Sequence, residues 1–236
     1  MGFLDFVFPK KCVVCKKERN YICDNCFSFL SFDVKNTCFA CKKPSINGLT
    51  HKKCLKDHTI DGCFSSLYLS KTTQKLIYSF KNKPYLTDLK KVLSDFFFED
   101  LIQNEAFNYE LKEIPKNKWT ITYIPLHSSV FKKRGYNQAE ILAKELGKRM
   151  GIRTESLLKK IINTKPQAKI KGKKGRRDNI SGAFALNKSV AKLNSSNLNI
   201  FLVDDFVITG STLLEAAKVL KKGKIKRVIG LTLAKS

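Results

Sequence analysis

Two groups of residues in this chain have types and spacings suited to chemistry. One is the stretch Ile-Phe-Leu-Val-Asp-Asp-Phe-Val-Ile-Thr-Gly-Ser-Thr, residues 200–212. An apolar run meets two adjacent carboxylates, Asp204 and Asp205, and small hydroxyl residues follow around Gly210. The other is a series of closely spaced pairs: Cys12-x2-Cys15, Cys23-x2-Cys26, Cys38-x2-Cys41 and His51-x2-Cys54. A two-residue gap lets both side chains of a pair reach one tetrahedral ion from a tight turn, so the series points to one or two structural Zn2+ sites. Disulfides are the alternative, but the chain shows no export signal, and thiols in a reducing compartment stay reduced. Whether the pairs combine sequentially or crossed is left open by spacing. Cys63 is left over and reads as a small apolar packing residue.

The acidic loop asks for a particular ligand. A helix is expected to start just after Gly210, and N–H groups around Thr209, Gly210, Ser211 and Thr212, aided by the helix dipole, suit a terminal phosphate. Gly210 permits close backbone approach, and the hydroxyls of Thr209, Ser211 and Thr212 add donors. Ionised Asp204 and Asp205 only accept hydrogen bonds. They suit sugar hydroxyls, a cation such as Mg2+, or developing positive charge. A ribose 5-phosphate meets both demands. The competing reading is a turn that caps an ordinary helix. No Walker A loop and no Gly-x-Gly-x-x-Gly run is present, which removes the commoner nucleotide readings.

These groups need elements to hold them. With 236 residues and 43% hydrophobic content, the chain can build one good core and a small extra module. All eight cysteines precede residue 64, which marks off residues 1–63 as a cysteine-rich module ahead of a domain over 64–236. Strands are expected at 65–69, at 117–125 up to Pro125, at 199–203 and at 226–234. Helices are expected at 71–83 and 85–105, separated around Pro84, at 136–151 and at 212–223. In the helix over 136–151, Ile141, Leu142, Leu146 and Met150 share a face and Gly151 marks the stop. Residues 159–177 carry nine basic residues and no acidic one, and read as a loop or frayed helix. Alternating strands and helices with apolar strands predict an α/β fold on a parallel sheet covered on both faces.

Charge narrows the partners. Lys and Arg number 45 against 20 Asp and Glu, for a net charge of +25. Such an excess favours polyanions: nucleic acid, phosphorylated metabolites or a membrane surface. No apolar run is long enough for a transmembrane helix. A cytoplasmic protein is expected, with peripheral inner-membrane association left open; Phe3, Phe6 and Phe8 could touch a membrane interface, but packing on the neighbouring domain is the favoured reading. Lys132, Lys133 and Arg134, followed by Gly135 and Asn137-Gln138, read either as the cations and donors that a pyrophosphate leaving group needs or as a solvated loop with a capping Asn137.

Residues 200–212 resemble the phosphoribosyl pyrophosphate (PRPP) loop of type I phosphoribosyltransferases, with Ile208 where many members carry Thr. In that family two acids hold the ribose hydroxyls and the following loop cradles the 5-phosphate. Ile-Pro-Leu-His at 124–127 and Lys-Lys-Arg-Gly-Tyr-Asn-Gln-Ala-Glu-Ile-Leu-Ala at 132–143 are similar to a signature of the ComF family of competence proteins. Gln167 followed by Arg-Arg-Asp-Asn-Ile-Ser-Gly-Ala-Phe at 176–184 resembles a further block of that family, and Lys81 stands where the family has a lysine after the first helix. The resemblance covers nearly the whole chain. It implies a type I phosphoribosyltransferase-like domain behind a double zinc ribbon, with His51 replacing the usual Cys. It also implies Leu126, His127, Arg134 and Lys81 on the pyrophosphate side, Mg2+ with PRPP, and a role in DNA uptake during natural transformation.

Two functions follow as expectations. One is a PRPP-binding protein of DNA uptake that contacts single-stranded DNA. Lys171, Lys173 and Lys174 would then track phosphates, and Phe27, Phe29, Phe32 and Phe39 either offer a stacking platform or fill the core of the small module, the latter being favoured. The other is a metabolic enzyme transferring phosphoribosyl to an amine or base, for which no general base is evident.

Overall fold

The computed structural model describes residues 10–18, 20–82, 87–167, 170–188 and 198–236. Phe3, Phe6, Phe8 and Pro84, singled out above, and Lys169 of the basic run lie outside the described residues. A four-stranded sheet holds β1 (Gly62–Tyr68), β2 (Trp119–Tyr123), β5 (Asn199–Val207) and β6 (Arg227–Lys235) in the order β1-β6-β5-β2. Every pairing in it is parallel. Parallel strands need crossovers, and helices supply them. On the way to β2 the chain forms α2 (Lys71–Asn82), α3 (Thr87–Gln103) and α4 (Glu105–Glu113). After β2 come α5 (Ser128–Arg134) and α6 (Gln138–Met150), then α7 (Lys173–Ile180), and α8 (Ser211–Lys222) joins β5 to β6. A single turn, α1 (Asp24–Phe27), lies among the first cysteines. The α/β class with a central parallel sheet stands as expected.

Both faces of the sheet are covered, so its middle strands carry apolar residues in both directions. In β5, Phe201 and Val203 enter the core formed with α2, α3, α4 and α6. Ile200 and Leu202 enter the opposite core, formed mainly with α8. The first core is rich in rings: Trp119 stacks on Phe201 at 3.9 Å, and Phe107 meets Phe64 edge-on at 5.7 Å. Leu142, Leu146 and Met150 of α6 are buried on this face as their spacing predicts, with Ile141 at its margin.

Three local expectations need correction. The stretch 105–113, for which no element is expected, forms α4, because Asn104 breaks the long helix and its side chain accepts from Phe107 N. The basic run is not a bare loop. Leu158–Lys160 forms β3, paired antiparallel with β4 (Phe184–Leu186), and α7 starts at Lys173. Charge density hid a three-residue strand that is too short to show a period. The strand holding the acidic pair also runs four residues past its predicted end, to Val207, because its partner β6 continues alongside it to Lys235.

Candidate functional site: an anion cleft beside two cysteine clusters

Asp204 and Asp205 sit near the C-terminal end of β5 and face opposite sides of the strand. That end of a parallel sheet is where helix N-termini and loops make ligand sites. Beyond Val207 the chain passes Ile208 and Thr209 to Gly210, which takes φ +80, and α8 begins at Ser211. No side chain caps α8, so its N-terminal N–H groups are left for a ligand. The Thr209 and Ser211 hydroxyls lie 2.9 Å apart at this mouth.

A cleft of about 640 Å³ opens over these residues. Asp204, Asp205, Thr209, Gly210, Ser211 and Thr212 all line it. Leu126, His127, Arg134 and Lys81, predicted from separate stretches of sequence, line the same cleft. Lys171, Lys173 and Lys174 do not; they are exposed, ahead of or within the first turn of α7. The segment before them is tied down at one end, since Asn179 donates to Lys165 O at 2.9 Å and accepts from Lys165 N at 3.2 Å.

The polar groups of the cleft are linked. Lys81 Nζ pairs with Asp205 Oδ2 at 2.7 Å and lies 4.0 Å from the centre of the Phe206 ring. Gln138 Nε2 donates to Lys81 O at 3.5 Å, and Arg134 Nη1 donates to Gln138 Oε1 at 2.7 Å. The Tyr136 hydroxyl donates to Phe80 O. Residues 134–138 therefore hold the end of α2, and with it Lys81, against the acidic pair. Asn137 caps α6 by accepting from Ala139 N, and donates to Ile124 O at 2.9 Å, which fixes the turn leading to Leu126. His127 caps α5 by accepting from Ser129 N through Nδ1.

Burial raises the Asp204 carboxyl to about 8, and the neighbouring Asp205 charge pushes the same way. Lys81, the Asp205 N–H and Lys160 oppose this without cancelling it. Lys160 is a cleft residue that the sequence reading missed. Burial lowers its own proton affinity and Asp204 raises it. Within a run of nine basic residues nothing distinguished it; a β3–β4 pairing would have been the signal. Gln167 and Arg176, noted only for resemblance, also line the cleft, and Gln167 Nε2 donates to Arg176 O at 3.2 Å.

The cysteines resolve into two sets in sequence order. Cys12, Cys15, Cys23 and Cys26 form one; Cys38, Cys41, His51 and Cys54 form the other. In each set all ligand atoms lie within 4.8 Å of one another. Zinc–sulfur bonds of about 2.3 Å require sulfurs about 3.8 Å apart in a tetrahedron. Cys15 and Cys23 sulfurs lie at 3.6 Å, and Cys41 Sγ lies 3.4 Å from His51 Nδ1. The other ring nitrogen of His51 lies 3.0 Å from Pro44 O, the outer contact that orients a ligating imidazole. Burial pushes the Cys12 thiol up, but N–H groups of Cys15, Cys23 and Val14 outweigh it and bring it down to about 6. Cys38 follows the same pattern to about 6, through Cys41, His51 and Ala40. Backbone donors aimed at sulfur favour thiolates, the form that binds metal. These clusters support structural zinc. Cys63 stands outside both sets, buried against Gly230 and Ile60 as a small apolar group.

The four phenylalanines divide. Phe39 is buried, while Phe27, Phe29 and Phe32 are exposed, Phe29 to 64%. Phe27 and Phe32 form a tilted pair at 6.3 Å, and Phe27 reaches Phe96 of α3 at 5.2 Å. The expectation that all four form the module's core therefore holds only for Phe39, and its core is shared with the sheet domain. Among the described residues no helix is long and apolar enough to cross a membrane.

Comparison with known proteins bears on both halves. Residues 3–55 match the double zinc ribbon domain family. A stretch of 106 residues is 34% identical to Competence protein F of Haemophilus influenzae. That match covers 44% of this chain and 45% of the relative, so less than half of either is aligned.

Proposed function

Taking the chain as a ComF-family protein with an N-terminal zinc ribbon, as these two matches support, we propose that it binds PRPP with Mg2+ in the cleft above β5 and acts in DNA uptake, contacting single-stranded DNA. The observation that carries the PRPP reading is convergence. Ten residues chosen from four separate stretches of sequence line one cleft at the sheet's C-terminal end. In this reading Ser211, Thr212 and the uncapped start of α8 take the 5-phosphate, and Thr209 adds a hydroxyl. Asp204 and Asp205 accept from the ribose hydroxyls. Arg134 and Lys81 face the pyrophosphate, with Leu126 and His127 on the turn beside it.

The donor set fits magnesium in a limited way. Asp205 Oδ2 is already paired with Lys81, Asp205 Oδ1 accepts from Phe206 N, and Asp204 Oδ1 accepts from Asp205 N. Magnesium keeps several waters and takes few protein carboxylates, so ligand oxygens and water would complete its shell. When bound it makes pyrophosphate a better leaving group. The protein's own part is to position and neutralise. Arg134 holds Gln138, Gln138 holds the end of α2, and Lys81 neutralises Asp205 until a ligand competes for it.

The role in DNA uptake rests on the similarity to a competence protein, and the single-strand contact on the net charge of +25 and the exposed lysines 171, 173 and 174. The division into a ribbon over 1–63 and a phosphoribosyltransferase-like domain over 64–236, and a cytoplasmic location, belong to the same proposal. The second reading is a metabolic phosphoribosyltransferase acting on an amine or base. The cleft has the volume for an acceptor beside PRPP, and Gln74, Ile77 and Tyr78 of α2 form its other wall. The test is thermal unfolding of the purified protein with and without Mg-PRPP, followed by pyrophosphate release across a panel of amines and bases. PRPP should raise the midpoint with concentration. No shift at millimolar PRPP would contradict the binding reading, and release with one acceptor would favour the enzyme.

A further inference from the structure

Phe39 lies between two ligands of the second cysteine set, Cys38 and Cys41, and is 2% exposed. Its ring does not turn into the ribbon. It rests on Gly210, where a Cβ would come within 2.2 Å of Phe39 Cε1 and 2.6 Å of Cζ. Gly210 is thus required twice: its φ of +80 disfavours a side chain, and the space for one is occupied by Phe39. On the ring's other contacts, Lys42 Nζ lies 4.2 Å from its centre, and the ring shares a core with Leu213, Ile60 and Cys63. The turn that carries Cys38 and Cys41 is held by Cys38 N donating to Lys43 O at 2.9 Å and Lys42 N donating to Cys38 O at 2.9 Å. Gly210 immediately precedes Ser211, the first residue of α8, so the ring packs on the backbone that aims the helix-start N–H groups.

Phenylalanine has no atom with which to bind zinc, and the first set places no residue in this core. We propose that Phe39 is a positioning residue that couples the second metal set to the phosphate loop. Metal held by Cys38, Cys41, His51 and Cys54 fixes the turn, the turn fixes Phe39, and Phe39 holds Gly210 in the geometry that receives a phosphate. The first set lacks this coupling. A loop already held in its bound form loses less entropy on binding. By reciprocity, a phosphate ligand retains the second metal by the same factor. This inference rests on the PRPP reading of the cleft, and the test separates the two.

Zinc-loaded full-length protein is titrated with a chelator with and without Mg-PRPP. Alkylation of Cys41 against Cys15 reports which set has emptied, and calorimetry gives PRPP affinity at each zinc content. Emptying the second set should weaken PRPP about five- to tenfold, and PRPP should hold back that zinc by an equal factor, a coupling of ordinary size for two linked sites. Phe39→Ala should abolish the coupling while both sets still take zinc, and Phe39→Leu should restore part of it. Ile46→Ala, at an exposed position of the same ribbon, should retain it. PRPP affinity in the parent that ignores the second zinc overturns the inference, whatever the variants do. Intact coupling in a folded Phe39→Ala protein also overturns it. A parent that binds zinc but neither PRPP nor inorganic phosphate contradicts the cleft reading itself, and the coupling with it.

Discussion

The two halves of the zinc ribbon have nearly the same ligand spacing, yet they dock on opposite faces of the sheet. The first sends Cys12, Val13, Ile22, Cys26 and Leu30 into the core shared with α2 and α3. The second sends Phe39 into the core shared with α8, beneath the loop at Gly210. Hydrogen bonds reinforce both contacts: Tyr68 N donates to Ser31 O at 2.8 Å, and the Lys235 side chain donates through Nζ to Lys35 O and Thr37 Oγ1, each at 3.0 Å. Similar metal-binding turns can therefore serve different ends. One closes the core shared with α2 and α3, and the other forms a wall behind the place where a ligand is proposed to bind. Ligand spacing alone does not tell them apart; the apolar residue carried between the ligands does.

Removing metal should give the largest effects and distinguish the halves. Metal analysis should find two zinc ions per chain, and Cys12→Ser with Cys15→Ser should lose one of them. Structural zinc contributes folding energy directly, so the ribbon half should lose hydrogen-exchange protection first. A well-folded ribbon without metal would refute the assignment of both sets. Next in size are two core truncations, Leu76→Ala on the α2 face and Leu213→Ala on the α8 face, both at fully buried positions. Each should cost about 2–5 kcal/mol in denaturant unfolding. Only Leu213→Ala, whose side chain lines the cleft beneath the loop, should also weaken PRPP; equal affinity losses from both would erase the distinction between the faces.

A smaller effect concerns pH. The folded protein raises the Asp204 carboxyl from its ordinary value near 4 to about 8, chiefly by burial. Between these values the folded state keeps a proton that the unfolded state has released. Stability should therefore fall as pH rises from about 4 to about 8, then level off. Asp204→Asn should flatten that slope. Binding of a magnesium-bearing ligand should tighten over the upper part of the same range, because the cation competes with the proton. The smallest effect expected is at the exposed lysines. Lys171, Lys173 and Lys174 changed to Gln should reduce the salt slope of single-strand binding by about 2, at about 0.7 per phosphate contact, and leave PRPP affinity unchanged. An unchanged slope would make the run a solvated surface.

Much of this was legible in the sequence, for identifiable reasons. Metal ligands at fixed short spacing and a strand–acid–glycine–helix run are local patterns, and the structure keeps Cys12 to Cys54 and Asp204 to Thr212 where those patterns put them. Residues 106–113 escaped because their local start signal, the capping Asn104, lies inside the helix expected over 85–105. Lys160 escaped because its role comes from a three-residue strand that pairs it with Phe184, 24 residues along the chain. Phe39 was assigned correctly to a core, but which core depends on contact with Gly210, 171 residues along the chain. Nothing local encodes a contact at that separation.

If the acidic pair and the loop after it form one binding site for a phosphorylated ribose, binding must depend on both carboxylates. Calorimetric titration of Mg-PRPP into the parent and into Asp204→Asn with Asp205→Asn tests it most directly, with circular dichroism and zinc content confirming that the variant is folded. Asparagine keeps the size of each aspartate and an oxygen able to accept from the N–H groups of residues 205 and 206, so the fold should survive. Saturable binding by the parent and none by the variant is the expected result. Equal affinity in the two folded proteins would contradict it.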